Sequence, residues 1–237
     1  MEEKLIVNED VKKEKVKKSV VAVGLCWFFF HFLAFYTPQI IMRGADRIVV
    51  GSRIDDMIPF VPMFVLFYAL AYVQWIVNIF VLAREHNDKF LFKYFAVDTI
   101  GKVICAIFYI VVPTTMLQPE IHPEADFWQL HLNIIYSLDE PINLFPSLHV
   151  FESLLDLVVV MQAKRTSTAF KVGSIILTAL VFASTVLIKQ HVLIDLPAGA
   201  LLFVLMVFIV DRTNVADKFQ NLFQKLDKPI KKTDDIE

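Results

Sequence analysis

The sequence predicts an all-α, polytopic membrane protein with six transmembrane helices in one bundle, on three observations. Hydrophobic residues make up 57% of the 237-residue chain, far above the share that a soluble domain of this length carries. The apolar runs are near-continuous and lack the period-2 alternation of a membrane strand, and 22 Phe against 6 Gly suits long helices. Lys and Arg gather on alternate connections, as membrane topology demands.

A helix needs about 20 apolar residues to cross the hydrocarbon core. The chain opens with a charged tail, 1–18, "MEEKLIVNEDVKKEKVKK". No short apolar core with a small-residue cleavage site appears there, so the first span is expected to be an uncleaved anchor. The spans are expected at 19–38, 57–83, 93–116, 148–163, 171–189 and 192–210. In the third, Asp98 and Lys102 stand at i, i+4, a spacing suited to mutual neutralisation. The connection before the fourth contains "DFWQLHLNIIYSL", which reads as an amphipathic interfacial helix with Trp128 and Tyr136 at headgroup level. Asp139 and Asn143 follow it and are expected to cap or brace the fourth span. That span is short and is expected to begin within the preceding segment; Glu152 and Asp156 extend inward along it. Cys26 and Cys105 lie in apolar runs, so neither a disulfide framework nor a zinc site is expected. One membrane domain, 19–210, followed by a charged tail, 211–237, accounts for the whole chain.

Orientation follows from charge. Lys4, Lys12, Lys13, Lys15, Lys17 and Lys18 precede the first span. Arg84, Lys89 and Lys93 follow the second, Lys164, Arg165 and Lys171 follow the fourth, and Arg212, Lys218, Lys225, Lys228, Lys231 and Lys232 follow the sixth. The other side has Arg43, Arg47, Arg53 and Lys189, and the connection 117–147 has no Lys or Arg. Both termini are therefore expected in the cytoplasm, and the plasma membrane of a bacterium is the expected location.

Two stretches break the hydrocarbon pattern: "NLFPSLHVFESLL" (143–155) and "KQHVLIDLPAG" (189–199). Spans four and six both enter from the extracytoplasmic side, so Ser147, His149 and His191 sit at helix mouths there, with Asp195 one turn deeper. Two helix N-termini present free N–H groups and positive dipole ends, which favour an anion. His191 and Asp195 at i, i+4 share a face. The carboxylate can hold one ring nitrogen and leave the other as a nucleophile. His149 arrives from another helix as a candidate general acid, and Ser147 offers its hydroxyl and N–H to phosphate oxygens. Singly, such a histidine is usually an interfacial surface residue; two on one side, one with its aspartate, make an active site at the extracytoplasmic face the better reading.

The stretches "FPSLH" and "STVLIKQHVLID" resemble the second and third motifs of the type 2 phosphatidic acid phosphatase superfamily, whose usual forms are Pro-Ser-Gly-His and Ser-Arg-x5-His-x3-Asp. The core from about Asp55 to Met206 follows the arrangement of its six-helix members. The Leu within "PSLH", the preceding "DEPINLF" and the "KQHVLIDLPAG" run look closest to the inositol phosphorylceramide synthase-like subgroup. The resemblance implies an integral membrane lipid phosphatase acting through a phosphohistidine on His191. Asp195 would orient His191, and His149 would protonate the leaving group and then activate water. It also implies no metal or other cofactor, with a lipid phosphate in the membrane as the partner.

The chain also departs from the family pattern. The first motif, Lys-x6-Arg-Pro, is missing; "VVPTTMLQP", with Gln118 before Pro119, stands in its place. Thr185 replaces the third-motif arginine. The phosphate-binding candidates are accordingly Ser147, Lys189, Thr185, Arg43, Arg47 and Arg53, the arginines having interfacial snorkelling as an equal explanation. Transfer of a phospho-headgroup to an alcohol, in place of hydrolysis, fits the same residues. A six-span transporter or binding protein is a further alternative, but transporters bury their ionisable groups near the midplane at broken helices. Nucleic acid is not expected as a partner, because the basic residues simply flank spans.

Overall fold

The computed structural model describes residues 17–228. Lys4, Lys12, Lys13, Lys15, Lys231 and Lys232, assigned above to the tails, lie outside the described residues. The fold is all-helical apart from two paired two-residue strands. A helix occupies each predicted segment: α1 (Lys18–Ile41), α3 (Val65–Arg84), α4 (Asp88–Val111), α6 (Leu148–Gln162), α7 (Thr168–Leu187) and α8 (Asp195–Arg212). Between and after them lie α2 (Arg53–Met57), α5 (Phe127–Leu138) and α9 (Val215–Phe223).

Four helical segments, Lys18–Ile41, Pro62–Arg84, Asp88–Val111 and Thr168–Leu187, are long and apolar enough to cross a membrane. A fifth is reached if α8 and the 75°-bent segment after it count as one span. These helices make the chain a membrane protein. Local signals set their starts. Asn87, Asp126, Ser147 and Ser167 each accept an N–H from the first turn that follows, at α4, α5, α6 and α7. The interfacial helix expected around 126–138 is α5, capped by Asp126.

Helix α6 explains its own shortness. Its 15 residues rise roughly 22 Å, less than the roughly 30 Å hydrocarbon core. It packs against α3, α4, α7 and α8 at the centre of the bundle. His149, Val150, Phe151, Glu152, Ser153, Leu155 and Asp156 are all buried there, so polar groups along it meet protein instead of lipid. Two glycines permit the close packing. A Cβ on Gly101 of α4 would fall 2.0 Å from the Phe151 ring, and one on Gly199 of α8 would fall 2.4 Å from the Ser147 carbonyl oxygen. Helix α1 is the opposite case: 17% of its apolar window is buried, against 56% for α4, so it forms the rim of the bundle.

Hydrogen bonds gather the connections into two ends. At one, Ile48–Val49 pairs in parallel with Thr114–Thr115, Val61 N–H donates to Leu187 O, and Asn143 donates to Phe35 O. At the other, Lys17 pairs with Asp88, Lys93 with Asp211, and Glu85 accepts the N–H groups of Lys164 and Arg165. The starts of α6 and α8, with both signature histidines, belong to the first end.

Candidate active site

The turn between α7 and α8 is built to present His191. The Thr185 carbonyl accepts N–H bonds from both Gln190 and His191 at 2.9 Å, which wraps the chain back over the end of α7. Lys189 takes a left-handed φ of 55° to make the reversal, a conformation unfavourable for a residue with a side chain. Tyr136 donates to Ile188 O at 2.5 Å and Gln190 donates to Asp139 O at 2.8 Å, tying the turn to α5 and to the residue after it. Asp195 then starts α8. Its Oδ2 accepts the Val192 N–H at 3.1 Å and lies 3.1 Å from His191 Nδ1. Both residues are buried, and the carboxylate orients the ring so that Nε2 faces away from it.

The α6 start is docked on this turn. Ser147 caps α6 and donates its N–H to Asp195 O at 3.2 Å, so the two helix N-termini meet. The His149 and His191 ring centroids are 5.9 Å apart. His149 stacks on Tyr68 of α3 at 4.2 Å, and its Nδ1 lies 3.3 Å from the Tyr68 hydroxyl. That hydroxyl donates to Asp139 Oδ2. A Tyr68 oxygen that gives its proton to Asp139 accepts from His149 Nδ1–H, which leaves Nε2 as the working nitrogen. Nε2 is buried and finds no hydrogen-bond partner among the described residues. Burial raises the Asp139 carboxyl above its ordinary value, while the Tyr68 hydroxyl and the nearby His191 pull it down.

His191 lines two cavities. One, of about 350 Å³, is walled by aromatic side chains of α1 and α3 and reaches His149 and Asp139. The other, of about 660 Å³, has a mixed lining that includes Asp55, Asp56, Gln118 and Lys189.

The structure thus brings His149, His191, Asp195 and Ser147 together; of the other candidates, only Lys189 shares a cavity with His191, and its ammonium is engaged elsewhere. The Lys189 ammonium donates to the carbonyls of Asp55 and Ile58 at 2.8 and 2.7 Å, so its charge holds the α2 loop. The buried Thr185 hydroxyl donates to Phe182 O within its own helix. Arg47 donates to Met42 O, and none of Arg43, Arg47 and Arg53 lines either cavity. Asp139 and Asn143 do not cap α6, which Ser147 does; they tie the preceding loop to α3 and α1 instead. Desolvation raises the Asp55 carboxyl, but hydrogen bonds from Ser52 and Leu193 and the Lys189 charge outweigh it and hold Asp55 below its ordinary value.

Sequence reading passed over Tyr68, Tyr109 and His31. Tyr109 of α4 donates to Pro146 O at 2.8 Å and steadies the approach to α6. The available signal was weak: each is a polar group inside an apolar span, the feature that marks function in a membrane helix. No family model, curated protein or solved structure matches the chain.

Proposed function

We propose that the chain is an integral membrane lipid phosphatase of the type 2 phosphatidic acid phosphatase kind, working through a phosphohistidine. The observation that carries this reading is the pairing of His191 Nδ1 with Asp195, with the rings of His191 and His149 lining one cavity at the junction of two helix N-termini and His149 Nε2 buried without a partner among the described residues. His191 Nε2 attacks phosphorus, the P–O bond to the lipid alcohol breaks, and His149, entering the step protonated on both ring nitrogens, gives its Nε2 proton to the departing oxygen. His149 then takes a proton from water, whose oxygen attacks phosphorus; the P–N bond breaks and inorganic phosphate leaves. Asp195 stabilises the positive charge that forms on His191. The helix N-termini offer N–H groups to the phosphate oxygens, since the aromatic cavity has no Lys or Arg in its lining.

The charge asymmetry supports six spans with both termini in the cytoplasm and the histidine end outside. One observation favours a second reading, transfer of the phospho-group to an alcohol: His191 also lines the larger cavity, a separate approach for an acceptor hydroxyl.

The test is chemical. Rapid alkaline quenching followed by mass spectrometry is expected to find phosphate on His191, and His191→Ala is expected to abolish turnover while the protein still folds. Phosphate on His149 or Ser147, or substantial activity in His191→Ala, overturns the assignment. Added alcohols that divert product from inorganic phosphate to a phosphate monoester of the alcohol favour transfer.

A further inference from the structure

A third imidazole faces the aromatic cavity. His31, in the middle of α1, lines it together with His149 and His191. Its Nδ1 is buried and lies 3.9 Å from Glu152 Oε1. The side chain keeps 16% exposure, so the open edge of the ring is the opposite one, which holds Nε2. The ring stacks on Trp27 at 5.6 Å and tilts against Trp75 at 5.2 Å; Trp75 in turn lies 5.1 Å from His149. Behind it, Glu152 pairs with Lys102 at 2.9 Å, and the Lys102 ammonium sits over the Trp27 ring at 4.0 Å. His31 is therefore held from the back by an ion cluster and from the sides by two indoles.

We infer that His31 is a specificity-determining residue that binds a polar linkage (ester, amide or hydroxyl) between the phosphate and the chains of the lipid substrate. The inference rests on the phosphatase reading, which puts the phosphate between His149 and His191. From that point the space runs past Trp75 to His31 and out beneath α1, whose Phe28 and Phe32 are exposed at the rim. Three other polar side chains of the cavity are engaged, Tyr72 with Asp139, Tyr109 with Pro146 O, and Asn143 with Phe35 O, while Trp75 Nε1 is buried without a partner among the described residues and Tyr36 lies at the exposed rim. A glycerol- or sphingoid-based lipid phosphate has hydrogen-bonding atoms a few bonds from its phosphorus, where His31 can meet them. A polyprenyl phosphate offers only hydrocarbon there and would bury Nε2 unpaired, which is unfavourable. The substrate class is thus a lipid phosphate with a polar backbone.

The test measures binding by tryptophan fluorescence in the detergent-solubilised full chain with His191→Ala, which suppresses turnover. Three ligands are compared: a diacylglycerol phosphate, a sphingoid-base phosphate and a polyprenyl phosphate. At least one of the first two is expected to bind roughly tenfold more tightly than the third, the size of one well-made hydrogen bond. His31→Phe, which keeps the stacking, is expected to abolish that preference by raising the Kd of the preferred lipid and leaving the polyprenyl phosphate within about twofold. His31→Gln is expected to restore part of it. Equal affinity for all three lipids overturns the inference without any His31 variant, and so does an equal loss for every lipid in His31→Phe. Failure of the wild-type chain to release phosphate from any of the three overturns the phosphatase reading instead, and the binding preference still decides the role of His31.

Discussion

On α6, His149 and Glu152 stand three residues apart, yet they belong to polar clusters of different kinds. Around Glu152 the charges close on one another: Lys102 lies 2.8 Å from Asp98 and 2.9 Å from Glu152, all three fully buried. The i, i+4 pair expected within α4 is present and has gained a third member from α6. Around His149 the polar groups form a chain of hydrogen bonds that ends on an imidazole. Asp139 holds Tyr68, Tyr68 meets Nδ1, Asp195 holds His191, and His149 Nε2 is buried without a partner among the described residues. Opposite charges in contact brace the bundle; the imidazole pair at the cavity is where the proposed chemistry belongs. Burial alone does not tell them apart, because His149 and Glu152 are both buried.

The sharpest way to break this contrast is to delete one member of each cluster. His149→Ala is expected to lower turnover about 10²–10⁴-fold, the usual worth of a general acid–base group, with little change in thermal unfolding. Lys102→Ala is expected to do the reverse. It leaves buried carboxylates without their cation, a change worth about 3–5 kcal/mol of stability. Removing all three charges, as in Lys102→Met with Asp98→Asn and Glu152→Gln, is expected to recover much of that loss. Unfolding in detergent and phosphate release, measured on the same preparations, separate the two. Normal stability with lost turnover in Lys102→Ala would erase the distinction.

A smaller effect tests whether the histidine cluster depends on how α6 and α8 meet. At Gly199 an added methyl collides with the Ser147 carbonyl and also approaches Val150 Cβ to 3.2 Å. Gly199→Ala is therefore expected to cost about 1–3 kcal/mol by overpacking and to push the α6 start away from Asp195. Turnover is expected to fall more than stability does, since misplacing reacting groups by about 1 Å can cost 10²-fold. Gly173, whose added Cβ meets nothing within 4 Å, is the control. A rate in Gly199→Ala no lower than in Gly173→Ala would show that the α6–α8 contact does not set the geometry.

How much of this was legible in the sequence depends on the range of the interactions. The helices were, because apolar runs and capping residues such as Asp126 and Ser167 act locally. His191 with Asp195 was too, because i, i+4 is a property of the chain. The Asp139–Tyr68–His149 connection was not: it joins residues 71 and 81 positions apart, and nothing in either segment marks the other. Nor was His31, which sits in the most uniformly apolar span and gains its meaning from Glu152 and Trp75 on other helices. Lys189 shows the opposite failure. Its place beside the motif suggested a phosphate ligand, and its actual partners, the carbonyls of Asp55 and Ile58, lie more than 130 positions away.

Lys189 gives the smallest effect, and it sharpens the contrast at the edge of the site. Its φ of 55° is strained for any residue with a Cβ, while its ammonium makes two bonds that hold the α2 loop. Lys189→Gly relieves the first and loses the second; Lys189→Ala loses the bonds and keeps the strain. The alanine variant is therefore expected to be less stable than the glycine variant by roughly 1 kcal/mol. If the ammonium serves only as a latch, both variants are expected to retain turnover within a fewfold of wild type. Acid offers a parallel route to the same loop, through Asp55, whose Oδ1 accepts the Leu193 N–H at 2.6 Å. A carboxyl held below its ordinary value of 3.8 contributes stability at pH values above 3.8 and loses it as pH falls through its lower folded value. The latch is thus expected to stay closed across neutral pH and open only in strong acid, with Asp55→Asn weakening it at neutral pH. Proteolysis or hydrogen exchange over residues 50–60 reads this directly. A collapse of turnover in both Lys189 variants, with the loop still protected, would return Lys189 to the phosphate and move the boundary of the site.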